Sequence, residues 1–163
     1  MTRDATFTGS VRPAGESDVE GIWRVHNDSI EVLCRERYSP REIAAWIAFR
    51  PPAAYRSALA SRDLFVAERD NEIVGFGQFD PARGEVEACY VSPAAVGQGI
   101  GSDLIARMEE RARATGHPVI RLNATLNAES FYAGLGYRRL GLAAHRVGND
   151  VDLPCIRMEK ALR

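Results

Sequence analysis

The stretch VSPAAVGQGIGS, residues 91–102, lies between a predicted strand and a predicted helix and decides how the chain is interpreted. Gly97, Gly99 and Gly101 alternate along it, so no side chain at these positions keeps a ligand away from the backbone. The helix that follows presents unpaired N–H groups at its start, which favour a phosphate or another anion. This order of elements predicts an anion-binding loop; the alternative is a glycine-rich connector without a ligand.

The spacing of the glycines excludes two familiar phosphate-binding motifs. A P-loop requires Lys before Ser or Thr after its last glycine, whereas Gly101 is followed directly by Ser102. The dinucleotide fingerprint is G-x-G-x-x-G with an acidic residue about 20 positions further on, and the glycines here are spaced G-x-G-x-G. An ATP- or NAD-dependent enzyme is therefore disfavoured.

The composition bounds the class of protein. The chain has 163 residues, of which 45% are hydrophobic and 26% charged, and this suits one globular domain over residues 1–163. A net charge of −1 disfavours binding to nucleic acid. Cys34, Cys89 and Cys155 form no disulfide framework and no metal-ligand spacing. Neither a signal sequence after Met1 nor an apolar run of about 18 residues is visible, so we expect a cytoplasmic chain without membrane or metal sites.

The hydrophobic patterns predict a mixed α/β domain of the α+β type. Capping-box signals at residues 17–20 and 39–42 start the first two helices. Tight turns between the central strands predict an antiparallel meander, which is followed by a helical crossover. The predicted strands are 7–12, 64–68, 73–79, 85–91, 119–123, 137–142 and 153–159, and the later predicted helices are 54–60, 102–115 and 128–135.

Two segments resemble the GNAT superfamily of N-acetyltransferases. Its acyl-CoA motif, (Q/R)-x-x-G-x-(G/A) after a strand ending in Val-x-Pro, falls on residues 91–101, with Val96 where the family usually has Gln or Arg. Residues 126–137, LNAESFYAGLGY, resemble its second segment, whose usual Asn falls on Thr125 with Asn127 two positions later. The resemblance spans nearly the whole chain. It implies a mostly antiparallel sheet of six to seven strands with about four helices on its two faces.

The resemblance also implies an activity. Acetyl-CoA would be the co-substrate, no metal would be needed, and the acetyl group would pass to a primary amine by direct attack in a ternary complex. The alternative is a GNAT-like sensor that binds acyl-CoA without transferring it. The acceptor, a small-molecule or peptide amine, stays open, as does the choice between monomer and homodimer. The implied cofactor-binding residues are Cys89, Tyr90, Val91, Val96, Gly97, Gln98, Gly99, Ile100, Gly101, Ser102, Thr125, Asn127 and Tyr132.

Three side chains are candidates for catalysis. Glu85 and Glu87 lie two apart on a predicted strand, so both carboxylates point to one face, which we expect them to share with Cys89 and Val91. Either carboxylate could deprotonate the amine, with water as the other possibility. The resemblance implies an oxyanion site at the main-chain N–H groups near Cys89 and Val91. It also gives Tyr132 the role of general acid, the alternative being a packed core tyrosine.

Four further features have plain structural interpretations. Cys89 lacks a His partner in the sequence, so we expect a core thiol rather than a nucleophile. Trp23 is expected in the core, and Trp46 either in the core or in the acceptor pocket. Residues 145–152 are expected to form an exposed hairpin connection.

Overall fold

A computed structural model describes residues 7–148 and 150–163. Residues 1–6, on which the expectation about a signal sequence rests, lie outside the described residues. One seven-stranded sheet runs in the order β1-β2-β3-β4-β5-β7-β6, and only its β4–β5 pair is parallel. The strands are β1 (Ser10–Pro13), β2 (Asp63–Arg69), β3 (Glu72–Asp80), β4 (Glu85–Val91), β5 (Val119–Ala124), β6 (Arg138–Val147) and β7 (Val151–Ala161).

Helices cover both faces of this sheet, which confirms the predicted fold class. In the described part of the chain they are α1 (Val19–Leu33), α2 (Pro40–Phe49), α3 (Pro52–Ser61), α4 (Ile100–Ala114) and α5 (Glu129–Gly134). Buried side chains of α1 and α3 pack with Phe76 on one face, which we call the α1 face. Those of α4 and α5 pack with Leu122 on the other, the α4 face. A third cluster joins α1 and α2 to the β6–β7 hairpin.

The two predicted helix caps have opposite outcomes. At α2 the prediction is confirmed, because the Ser39 hydroxyl accepts the Glu42 N–H at 3.1 Å and the Glu42 carboxylate accepts the Ser39 N–H at 2.8 Å. At α1 the predicted Ser17 cap is wrong. A short 3-10 turn precedes the helix, and the Asp18 carboxylate accepts the Gly15 N–H at 2.8 Å. Asp18 takes this role because its carboxylate is buried and needs several donors.

Two other expectations need correction. Trp23 is 38% exposed, because the neighbouring Ile22 and Val25 occupy the buried side of α1. The segment predicted as an exposed connection is mostly sheet. There β6 and β7 extend to Val147 and Val151, and both valines are buried in the third cluster with Trp46.

The two parallel strands at the centre of the sheet separate after a short contact. β4 and β5 pair only at Glu85–Arg121 and Val86–Leu122. Beyond that point the strands are not paired, and we call the space between them the strand gap. Because the sheet is open there, a ligand can reach main-chain groups in the middle of the domain.

Candidate functional site

A cavity of about 530 Å³ opens at the strand gap. Its walls come from α1, β4, the glycine loop, the start of α4, the end of β5 and α5. All predicted cofactor-binding residues except Gln98 line it: Cys89, Tyr90, Val91, Val96, Gly97, Gly99, Ile100, Gly101, Ser102, Thr125, Asn127 and Tyr132. Thr125 and Asn127 both face the cavity, so the choice between them stays open.

The free edge of β4 supplies main-chain donors to this cavity. The Ser92 N–H donates to the Val74 carbonyl of β3 at 2.8 Å. Because successive N–H groups of an extended strand point in opposite directions, those of Cys89 and Val91 point away from β3, toward the strand gap. Neither residue has a register partner in β5. The Ser29 hydroxyl of α1 donates to the Val91 carbonyl, which holds this edge in place.

The glycine loop presents its backbone to the same cavity. Gly97 and Gly99 have φ values of +80° and +84°, in the left-handed region that favours glycine. A Cβ atom at Gly97 would meet nothing within 4 Å, so the space in front of the loop is open. Gly99 is the N-cap of α4 and offers no side chain to the first N–H groups of the helix. These N–H groups are therefore available to an anion.

An arginine side chain from another strand contacts this loop. The Arg69 guanidinium at the end of β2 donates to the Gln98 amide oxygen. Because the Gln98 side chain turns toward β2, it does not line the cavity, and its predicted cofactor contact has no side-chain support. The loop itself carries no basic side chain.

Tyr132 and Cys89 meet on the wall of the cavity. Tyr132 is 6% exposed and packs edge-on against Tyr137, with ring centroids 5.7 Å apart. Burial raises the pKa of Tyr132 well above 10, so its hydroxyl keeps its proton. Its side chain lies beside Cys89, whose pKa burial raises to about 12. Cys89 is half-buried, packs against the α4-face cluster and lines the cavity, and its raised pKa keeps the thiol neutral.

The expectation that the two carboxylates share a face with Cys89 and Val91 is wrong. Val86 packs in the α4-face cluster, whereas Ala88, two residues later, packs in the α1-face cluster. The cause is an extra residue in β4, where the register with β3 shifts between Gln78 and Phe79. After this bulge Cys89 and Val91 point to the α4 face.

Glu87 and Glu85 have different surroundings. Glu87 lines the cavity, accepts from the Arg62 guanidinium at 2.9 Å and also accepts from the Gln78 amide. The Gln78 amide oxygen is buried and has no partner among the described residues. Glu85 pairs with Arg157 of β7 and does not line the cavity. The two candidate bases are therefore not equivalent.

Sequence reasoning missed the residues that hold Glu87 and the edge of β4. Arg62 and Gln78 reach Glu87 from 25 and 9 residues away, and Ser29 reaches Val91 from 62 residues away. Pairings at such separations depend on the assembled sheet, and no local motif signals them. Among residues 7–148 and 150–163 there is no group of three or more potential metal ligands. No helix in this part of the chain combines the length and apolar character needed to cross a bilayer.

Comparison with known proteins identifies the family of the chain. A family model described as "Acetyltransferase (GNAT) domain" matches residues 34–162. The chain is 32% identical over 147 residues to L-methionine sulfoximine/L-methionine sulfone acetyltransferases of Pseudomonas aeruginosa and Pseudomonas paraeruginosa, with 83% of this chain and 80% of those proteins covered. The chain therefore belongs to the GNAT acetyltransferases.

Solved structures show the same fold. A GCN5-related N-acetyltransferase from Rhodopseudomonas palustris superposes with a TM-score of 0.90 at 27% identity, covering 98% of this chain and 99% of that chain. PaiA N-acetyltransferase from Thermoplasma acidophilum, in complex with coenzyme A, has a TM-score of 0.79 at 20% identity over 95% of this chain and 99% of that chain. Other structures of this fold contain acetyl-CoA. The protein is an acetyl-CoA-dependent N-acetyltransferase.

Proposed function

We propose that the glycine loop and the strand gap hold acetyl-CoA, and that an amine approaches from the α1 face. The open backbone at Gly97, the uncapped start of α4 and the cavity at the strand gap support this arrangement. The pyrophosphate would accept hydrogen bonds from the N–H groups of the loop. The N–H groups of Cys89 and Val91 would donate to the thioester carbonyl oxygen and stabilise the charge that develops there.

Glu87 is the proposed base. Acetyl-CoA supplies the activated acetyl group, and the amine must lose a proton to attack it. The carboxylate of Glu87 lines the cavity on the α1 face, so it can take this proton directly or through a water molecule. Glu85 is a weaker candidate because its carboxylate pairs with Arg157 and lies outside the cavity.

Tyr132 is the proposed acid. Its hydroxyl lies beside Cys89 on the cavity wall, and its raised pKa keeps it protonated, so it has a proton to donate. The proposed acceptor is the sulfur of CoA, on which negative charge develops as the C–S bond breaks. With a protonated acid on one side and a carboxylate on the other, direct attack in a ternary complex needs no acyl-enzyme. Cys89 could serve as a nucleophile only as a thiolate, which its raised pKa of about 12 disfavours.

The acceptor we propose is a small-molecule amine. The relatives at 32% identity are named for L-methionine sulfoximine and L-methionine sulfone, which supports a small acceptor over a peptide. We further propose that residues 1–163 act as one catalytic domain, as a monomer or homodimer. The free cysteines among the described residues suit a reducing compartment such as the cytoplasm.

Initial-rate kinetics tests this proposal. A panel of small amines is offered with acetyl-CoA, and release of the CoA thiol is recorded while both concentrations vary. Intersecting lines in double-reciprocal plots are expected for a ternary complex. Parallel lines would instead indicate an acyl-enzyme. Binding of acetyl-CoA without thiol release for any amine would favour the sensor alternative.

A further inference from the structure

One half-buried arginine has no counter-charge. Arg50 follows α2 and has neither an ion pair nor a hydrogen bond to its side chain among the described residues. The other half-buried arginines all have partners: Arg12 pairs with Asp18, Arg62 with Glu87, Arg157 with Glu85, Arg69 bonds Gln98, and Arg107 lies over the Phe65 ring. A half-buried guanidinium without a protein partner keeps its hydrogen-bond donors free, so it is available to an anionic ligand.

Aromatic rings surround the end of α2, where Arg50 lies. Trp46 of α2 contacts Tyr90 of β4 with ring centroids 6.3 Å apart, and Phe49, directly before Arg50, contacts His145 of β6 at 6.4 Å. Burial and the Arg50 charge lower the pKa of His26 of α1, and the same charge opposes the rise in the pKa of Tyr55 of α3. The rings of His26 and Tyr90 lie 4.3 Å apart. The guanidinium therefore sits on the α1 face, where four separate elements converge. In such partly apolar surroundings, a hydrogen-bonded ion pair is stronger than it would be in water.

Tyr90 connects this place to the site of transfer. Its side chain points to the α1 face, where it packs on His26 and stacks on Phe76. Its backbone lies between Cys89 and Val91, whose N–H groups point into the strand gap, and the residue itself lines the cavity. Tyr90 is thus the residue at which the surroundings of Arg50 adjoin the strand gap.

We propose that Arg50 binds a carboxylate of the acceptor, so that the substrate is a free amino acid or a close analogue carrying both an amine and a carboxylate. The proposal rests on the proposed function, since it requires the amine to attack from the α1 face. A carboxylate matches the planar fork of a guanidinium and can accept two parallel hydrogen bonds from it. The flanking rings would contact the apolar part of the molecule.

The test compares matched acceptors on matched variants. The acceptors are L-methionine sulfone, L-leucine and L-phenylalanine, each beside its carboxamide, and the dipeptide leucyl-glycine, in which the carboxylate lies one residue further from the amine. The variants are Arg50→Gln, Arg50→Lys and the control Arg41→Gln. Arg41 lies near the start of α2, is exposed, and pairs with Asp150 at 3.4 Å. Arg41→Gln therefore makes the same chemical change as Arg50→Gln, but at a solvent-exposed position of α2.

We expect the wild-type protein to prefer at least one amino acid over its carboxamide and over the dipeptide by about tenfold or more in kcat/KM, the size expected for a hydrogen-bonded charge pair. Arg50→Gln should remove this preference and keep activity on the carboxamide. Arg50→Lys should restore part of it, because the charge returns without the fork. Arg41→Gln should behave as wild type. Activity on the carboxamide also reports that the variant is folded.

Three results would count against the proposal in distinguishable ways. Equal kcat/KM for the amino acid and the carboxamide refutes the role of Arg50 and leaves the transfer mechanism standing. A loss in Arg50→Gln that affects both acceptors alike shows a structural role only. If no amine releases CoA thiol although acetyl-CoA binds, the proposed function fails and this inference fails with it.

Discussion

Replacing Tyr132 by Phe isolates the proposed acid, because it removes one oxygen atom and leaves the ring packing in place. The ring is 6% exposed and rests against Tyr137 and Phe131 at centroid distances of 5.7 and 5.0 Å. The hydroxyl lies beside the Cys89 thiol. Losing one hydrogen bond costs about 1 kcal/mol of unfolding free energy or less. General-acid catalysis contributes roughly 10²–10⁴-fold, so kcat should fall by about tenfold or more even with partial rescue by water.

Tyr137 provides the matched control. Its hydroxyl is also buried and donates to the Glu109 carboxylate at 3.1 Å, but Tyr137 does not line the cavity. Lys160 still pairs with Glu109 at 2.9 Å after the change. Tyr137→Phe should therefore lower stability by a similar amount, about 1 kcal/mol, without lowering kcat. Urea unfolding and release of CoA thiol measure the two quantities.

The identity of the leaving group decides the interpretation. An acetyl thioester of a more acidic thiol needs less protonation as it departs, so it should narrow the difference in kcat between wild type and Tyr132→Phe. A difference that stays constant across such donors would refute the acid role and leave Tyr132 as a residue that positions the thioester. A fall of the same size in Tyr137→Phe would show that loss of any buried hydroxyl in this cluster lowers kcat, and would remove the evidence for proton donation by Tyr132.

Three further predictions concern the base, the loop and pH. Glu87→Gln should lower kcat/KM by about tenfold or more and flatten the acidic limb of its pH profile, while Glu85→Gln should do neither; equal effects would contradict the assignment. Gly97→Ala and Gly116→Ala both place a methyl group at φ near +80° in open space and should each cost about 1 kcal/mol, but calorimetry should show acetyl-CoA binding weakened several-fold only by Gly97→Ala. Burial lowers the pKa of His26 from 6.5 to about 3. Because the unfolded chain therefore binds a proton at His26 more readily than the folded protein, the free energy of unfolding decreases as pH falls below 6.5. Between pH 7 and 5 this loss is about 2 kcal/mol, and urea unfolding should find it absent in His26→Gln.

Local patterns were enough to predict most elements of the fold. The turn at Asp70 and Asn71 has both residues at positive φ, as a tight hairpin requires, and its flanking strands pair as expected. Ser39 caps α2 because its partner Glu42 lies three residues away. The alternating glycines adopt the left-handed conformations that only glycine adopts easily. In each of these cases the interacting groups are close in sequence.

The parts that could not be predicted depend on distant residues. The bulge in β4 follows from its register with β3, and it moves Cys89 and Val91 to the face opposite Glu87. Simple alternation along a strand cannot reveal this. The partners of Glu87 come from α3 and β3, and the position of Arg50 matters only once the aromatic residues of other elements surround it. The cofactor loop could thus be predicted from the local sequence. The surroundings of the acceptor could not, because they form only when distant elements pack together.

Residue-resolved binding of acetyl-CoA tests the central claim most directly. In a ¹⁵N-labelled protein, acetyl-CoA should shift the amide signals of Gly97 and Gly99 in the loop and of Cys89 and Val91 at the strand gap, and leave Gly116 at the other end of α4 unchanged. A second cavity of about 500 Å³ is the alternative binding site for acetyl-CoA, and its lining residues include Arg62, Arg107 and Arg111. Shifts confined to that cavity, or loop amides that do not respond at saturating acetyl-CoA, would contradict the account.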